Sequence, residues 1–315
     1  MQGNKFNMLI CGNEIKVERR VVRIVRLAAE QYDFVVDPTL ALTELRKSGV
    51  RADVFTFIQK IGDGAAKYPY YVEQENLAAL PVSTYDEWWN KQINGKTRNM
   101  VRRAEKSGVV VREVAFDDAL VRGISLIYNE SPIRQGKKFW HYGKDLDTVR
   151  AENGTFRDRA VFIGAFIGEQ MIGYAKLVSD PTESQAGLMQ ILSMISERDK
   201  APTNALIAQA VRSCAERGVR HLVYAKFSYG KKQRDSLADF KLHNGFQPLE
   251  VPRYYIPLNL AGSLALKAGL HHGLANLVPE WLMENLRRAR KSWSSSAANT
   301  ERPSAQSAHS IRTQA

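Results

Sequence analysis

Long apolar runs are missing from this chain. The longest, such as residues 160–168 (AVFIGAFIG), stop far short of the roughly 20 residues that a membrane-spanning helix needs. The amino terminus has no apolar segment followed by a small-residue cleavage site, so no secretory signal is expected. Cysteine is almost absent. Cys11 and Cys214 alone cannot build a disulfide framework or a cysteine-rich zinc site, which fits a reducing, cytoplasmic setting. The six histidines show no HxH or HxxxH spacing, an argument against a metal enzyme. In a helix the adjacent pair His271 and His272 would point in different directions. No zinc-finger, RNA-recognition or helix-turn-helix signature is present either, so DNA is not an expected partner.

What is present is a soluble composition with a strong positive bias. Of 315 residues 44% are hydrophobic and 25% charged, and the formal net charge is +12. Enough chain is available for one large or two ordinary domains. The basic residues cluster. Lys91, Lys96, Arg98, Arg102, Arg103 and Lys106 face a single acid, Glu105, and Arg287, Arg288, Arg290 and Lys291 close the last helical stretch. Two readings stand: attraction for a phosphate-bearing partner such as a nucleotide, a tRNA or an anionic membrane surface, or a merely solvated helix face.

Residues 1–80 are the hardest to read, with strands expected at ADVFTFIQKI and YPYYVEQENLAALPV. A basic helix over 81–108 follows, with Thr84 as its N-cap, Glu87 three residues on, a break near Gly95 and Gly108 at its end. From Val109 the pattern gives a strand, a helix, a second short helix and a hairpin turning at Gly168-Glu169-Gln170. A further strand then leads to a helix opened by Pro202 and closed by Gly218, a buried strand, a helix ended by Gly245, and a last strand near Leu258. Residues 259–293 read as amphipathic helices and 294–315 as a disordered polar tail.

One segment looks built for something other than packing. Residues 128–145 (YNESPIRQGKKFWHYGKD) crowd basic, acidic and aromatic side chains between Pro132, Gly136 and Gly143. Arg134, Lys137 and Lys138 suit a carboxylate or phosphate, with Arg binding in bidentate fashion. Glu130 or His141 suits removal of a proton from an attacking amine. Tyr128, Trp140 and Tyr142 offer flat faces to a sugar or acyl chain. Singly, each also reads as ordinary core or surface; their concentration in one broken loop favours a site.

The element order from residue 109 to 258 resembles the GNAT acyltransferase fold, and KTRNMVRRAEKSGVVVREV resembles the segment joining the two GNAT-like halves of Fem-type aminoacyltransferases. The fold class this implies is α+β: a central mixed, mostly antiparallel sheet flanked by helices, with 1–80 as a shortened first half. The implied activity is transfer of an acyl or aminoacyl group to an amine or hydroxyl of a small-molecule or cell-envelope acceptor. The donor would be acetyl-CoA or another acyl-CoA, or, in Fem-type enzymes, a charged tRNA; no metal is implied. The resemblance puts the donor carbonyl at the strand amides of Gln190, Ile191 and Leu192, and a phosphate loop at Arg198, Lys200, Thr203 and Asn204. Ala201 and Thr203 stand where the family has glycine, and Pro202 lacks an amide donor. CoA binding by the remaining groups, a donor other than CoA, and a plain helix start therefore stay open. The family's acid, a Tyr, is replaced by Lys241, read as a solvated helix lysine; Tyr229 is the other candidate acid. A GNAT-like protein that has lost catalysis and binds a ligand or partner in the same cleft is the alternative. The C-terminal helices pair Leu274, Leu277, Trp281 and Leu282 with the arginine cluster, which suggests peripheral membrane contact or simple docking on the core.

Overall fold

Strands rich in Val, Ile, Phe and Tyr supply the frame, because β-branched and aromatic side chains fit a pleated, half-buried surface. The computed structural model describes residues 8–19, 21–62, 64–227 and 236–273. The strands are β1 (Leu9–Ile10), β2 (Asn13–Arg19), β3 (Arg23–Leu27), β4 (Val54–Ile58), β5 (Tyr71–Pro81), β6 (Val110–Val114), the small hairpin β7 (Ile133–Arg134) with β8 (Lys137–Lys138), β9 (Ala160–Ile167), β10 (Gln170–Ser179), β11 (Gln185–Ser193), β12 (His221–Lys226) and β13 (Gln247–Pro257). The helices are α1 (Pro38–Lys47), α2 (Tyr85–Glu87), α3 (Gly95–Lys106), α4 (Asp118–Asn129), α5 (Leu146–Asn153), α6 (Pro202–Glu216), α7 (Ser236–His243) and α8 (Leu260–Lys267). A π turn, Trp88–Gln92, extends α2, and a 3-10 turn, Leu270–His272, follows α8.

Eleven strands form one sheet in the order β1-β2-β3-β4-β13-β5-β12-β11-β10-β9-β6. Within it β3–β4 and β11–β12 run parallel and the other pairs antiparallel, so the sheet is mixed and mostly antiparallel. The α+β class follows. The last strand among the described residues does not lie at an edge. β13 inserts between β4 and β5, with Tyr254 opposite Phe57 on one side and Val72 on the other. Phe57 and Tyr254 stack with ring centroids 5.0 Å apart, over a core shared with Leu42 and Leu45 of α1. Burying aromatic side chains of this size stabilises by about 2 kcal/mol each.

The second core lies under α3, α4 and α6, where Trp88, Ile124, Tyr174, Leu206 and Phe246 are fully buried. Trp88 Nε1 donates to the Asn244 carbonyl at 3.0 Å, which ties the π turn to the end of α7. Thr84 caps α2 as the sequence predicts, accepting from the Glu87 amide at 3.1 Å. The break falls one residue before Gly95: Asn94 Oδ1 accepts from the Thr97 amide at 2.9 Å and starts α3 afresh. Side chains of this kind at an N-cap contribute about 1 kcal/mol.

Three features depart from the sequence reading. Residues 8–50, to which the sequence reading assigned no element, supply β1, β2, β3 and α1. Lys241, expected in solvent, is completely buried; its Nζ donates to the Lys226 carbonyl and lies 4.7 Å from the Tyr224 ring centre. His271 and His272 converge instead of diverging, because they sit on a 3-10 turn between left-handed Gly269 and Gly273, not in an α-helix. Tyr229, the expected helices over 274–293 and the tail over 294–315 lie outside the described residues. Among the described residues no helix is long and apolar enough to cross a membrane.

Candidate active site

The central opening of the sheet is made by two strands that part. β11 and β12 pair in parallel at Gln185–His221, Ala186–Leu222 and Gly187–Val223, and there the pairing ends. β11 continues along β10 as far as Ser193, whereas β12 follows β5. Two irregularities account for the divergence. In β11, Met189 has no counterpart in β10, since Lys176 faces Gln190 and Leu177 faces Leu188; such a bulge bends a strand and sharpens its twist. In β12, Ala225 adopts a left-handed φ of 48° and the register with β5 shifts between Val223 and Lys226. The β12-facing edge of β11 from Leu188 to Ser193, which includes Gln190, Ile191 and Leu192, therefore has no strand partner among the described residues.

A buried polar cluster fixes the splayed strand. Gln190 Oε1 accepts from the Tyr128 hydroxyl at 2.8 Å and from Tyr174, and the two hydroxyls are 2.8 Å apart. Asn153 Nδ2 reaches the Tyr128 hydroxyl at 3.5 Å. Burial raises the Tyr128 phenol, partly offset by its hydrogen bonds to Tyr174, Asn153 and Gln190. Both tyrosines stay protonated at neutral pH. Tyr174 and Asn153 escaped the sequence reading: one looks like any strand aromatic, the other like a helix terminus, and only their convergence marks them.

The broken loop of residues 128–145 is largely occupied with its own scaffold. Glu130 accepts from the Ile195 amide at 2.6 Å, the Ser196 amide at 2.9 Å and the Ser196 hydroxyl at 2.8 Å. Burial would raise its pKa, but these hydrogen bonds and the Arg134 charge outweigh burial and hold it low. Arg134 donates to the Ser193 carbonyl at 2.8 Å and the Ile127 carbonyl at 2.7 Å, and its guanidinium lies 4.7 Å from the Phe139 ring centre. Its Nε is buried without a partner. His141 is 4% exposed and stacks on Tyr128 at 4.1 Å. Burial first, and then the Lys144 charge, depress it to about 4, so the ring is neutral at physiological pH. Trp140 and Tyr142 point outward, as do Lys137 and Lys138 on the β7–β8 hairpin.

The expected phosphate loop keeps its backbone and changes its chemistry. After the 3-10 turn Arg198–Lys200, Ala201 takes the left-handed conformation (φ 54°) that favours glycine, and α6 begins at Pro202 with no side-chain cap. Lys200 pairs with Glu197, Thr203 Oγ1 with Ser193 Oγ at 2.9 Å, and Asn204 Nδ2 donates to Asn244 Oδ1 at 3.2 Å. The amides of Ile195 and Ser196, nearest the strand end, already serve Glu130. The acids near the loop are themselves paired, Glu130 with Arg134 at 3.2 Å and Glu197 with Lys200.

Alternate residues of β12 divide two environments. Leu222 and Tyr224 pack with the α6 core, whereas Val223 and Ala225 line a cavity of about 640 Å³ against β4, β13 and β5. Its lining carries an ion network in which Arg253 binds Glu30 and Glu75, and Glu75 also meets Lys226 at 2.7 Å. Glu73, His271 and His272 line the same cavity.

No family model matches the sequence, and no curated protein matches it. Solved structures do match. The C-terminal domain of a putative lysylphosphatidylglycerol synthetase from Agrobacterium fabrum aligns over 84% of this chain and 87% of its own, with TM-score 0.54 and 14% identity. L-PGS from Bacillus licheniformis aligns over 84% and 86%, with TM-score 0.53 and 10% identity. At such identities the likeness is one of fold. The chain shares the fold of these two proteins, and within it β11 and β12 part at the bulge of β11.

Proposed function

We propose that the chain is an acyltransferase that moves an acyl or aminoacyl group from an activated donor to an amine or hydroxyl acceptor. The observation that carries this reading is the parting of β11 and β12. Unpaired strand amides between Leu188 and Ser193 can bind a donor carbonyl and stabilise the oxyanion formed when the acceptor attacks it, an effect worth about 3 kcal/mol per well-placed donor. Attack is direct: the acceptor nitrogen or oxygen bonds to the carbonyl carbon, the tetrahedral centre collapses, and the leaving group departs with a proton. Lys241, buried with its Nζ at the Lys226 carbonyl at the end of β12, is the proposed donor of that proton. Glu130 is committed to the Ile195 and Ser196 amides and acts as a positioning residue. His141, held near 4 by burial and the Lys144 charge, is too weak a base for the proton an ammonium must lose, and that proton is proposed to pass to solvent before the amine attacks.

The donor we favour is an aminoacyl ester carried on RNA, not CoA. The Ile195 and Ser196 amides, which a CoA diphosphate would need, are taken by Glu130. The fold likeness to proteins whose name joins lysine to a lipid supports the same choice. On the acceptor side, exposed Trp140, Tyr142 and Ile133 beside Lys137 and Lys138 suit an amphiphilic, anionic cell-envelope precursor.

Incubating the protein with radiolabelled aminoacyl-tRNA, or with labelled acetyl-CoA, in the presence of a bacterial lipid and envelope-precursor extract tests this. Label transferred from aminoacyl-tRNA, and lost in Lys241→Met, is the expected result. Transfer from acetyl-CoA alone overturns the choice of donor; no transfer from either overturns the enzyme reading.

A further inference from the structure

We propose that Glu73, His271 and His272 form a binding site for a divalent first-row transition metal ion of the zinc class, with one coordination position open to the cavity. Two segments nearly 200 residues apart build it. β5 presents Glu73 opposite Arg253 of β13, and the 3-10 turn after α8 brings the two histidines over it. His271 Nε2 lies 2.8 Å from Glu73 Oε1, and His272 Nε2 lies 2.9 Å from Oε2. One ligand atom from each residue falls within 4.8 Å of the others.

Chemistry and geometry agree with the metal class. Two imidazoles and one carboxylate make a borderline donor set suited to zinc and its neighbours, and poorly suited to calcium or magnesium, which prefer all-oxygen shells. Bonds of 2.0–2.1 Å at tetrahedral angles place ligand atoms about 3.3 Å apart. The two histidine–glutamate separations, 2.8 and 2.9 Å, are a few tenths of an ångström shorter, so these contacts need only a small outward shift. Three protein ligands leave a fourth position for water or a substrate group, the pattern of sites that do more than hold a fold. The site is also held in place. The Tyr255 ring packs 4.7 Å from His271 and Tyr71 lies edge-on at 6.1 Å, while His271 itself is 2% exposed.

The charge balance is favourable. Glu73 supplies the one carboxylate ligand, placed against both imidazoles. The two rings lie with centroids 4.0 Å apart, where two imidazolium ions would repel each other. A single dication between neutral rings removes that conflict, each Nε2 proton passing to Nδ1 or to solvent.

The test uses the full chain after dialysis against a chelator. Zn²⁺ titration by calorimetry, with metal content measured on the same samples, is expected to show one equivalent bound and a raised melting temperature. Glu73→Gln and His272→Ala, the latter at a partly exposed position, should each weaken binding at least 100-fold while keeping a native circular dichroism spectrum. No binding by the wild-type chain, or binding unchanged in both variants, overturns the site. The measurement does not depend on transfer activity.

Discussion

Arg253 holds Glu30 with both Nη atoms, each 3.0 Å from a carboxylate oxygen, across 223 positions of sequence. The same guanidinium binds Glu75, so one cation on the inserted strand β13 serves two largely buried anions. Burial opposes its charge, but Glu30 and Glu75 outweigh it and push the Arg253 pKa up. Arg253→Met removes the cation shared by the two carboxylates and leaves Glu30 with Arg26 and Glu75 with Lys226. We expect a loss of about 2–3 kcal/mol in urea unfolding, from the charged hydrogen bonds removed. A loss under about 1 kcal/mol would mean that water reaches and compensates the two acids.

His141 sets an acid limit. Its folded pKa, about 4, lies below the unfolded value of 6.5, so between these values the unfolded chain binds a proton that the folded protein refuses. Its contribution is constant above pH 6.5 and lost as pH falls toward 4, at up to about 1.4 kcal/mol per pH unit. Urea midpoints of wild type and His141→Gln between pH 4 and 7 should show a shallower acid decline in the variant. Parallel curves would assign that decline to other groups.

Lys176 should act at the alkaline end. Its ammonium donates to the Asn153 carbonyl at 2.8 Å and the Thr155 carbonyl at 2.7 Å, and burial lowers it from 10.5 to about 8. Below pH 8 both states are protonated. From pH 8 to 10.5 only the unfolded chain keeps the proton, so this group makes stability rise with pH. The stability difference between wild type and Lys176→Met should shift in favour of wild type over that interval, read from chemical denaturation; a flat difference refutes the depressed pKa.

Glu130 separates positioning from base catalysis. Glu130→Gln keeps an acceptor for one strand-end amide and should retain transfer within about tenfold. A general base would lose 10²–10⁴-fold on the same change. Glu130→Ala leaves the Ile195 and Ser196 amides unanswered and should cost about 2 kcal/mol of stability. A loss above 100-fold in the Gln variant, with stability intact, would restore Glu130 as the base.

The local pattern of this chain was written in its sequence. Alternation and caps marked β9 to β13, Thr84 and Pro202 opened their helices, and the order of elements from 109 to 258 pointed to the GNAT-like fold, because spacing of apolar residues and short-range hydrogen bonds act within a few positions. Strand β2 does alternate, with Glu14, Lys16 and Glu18 against Ile15 and Val17, but the run is short and only Ile15 on its apolar face is buried, so the signal went unread. Long-range placement was decided only in three dimensions. Nothing near β13 states that it will lie between β4 and β5, that Arg253 will meet Glu30, or that His271 and His272 will close on Glu73. The loop of residues 128–145 shows the same division. Its composition advertised chemistry, but the tertiary structure turned Glu130 and Arg134 inward onto the end of β11, where buried donors and acceptors must find partners or cost the fold its stability.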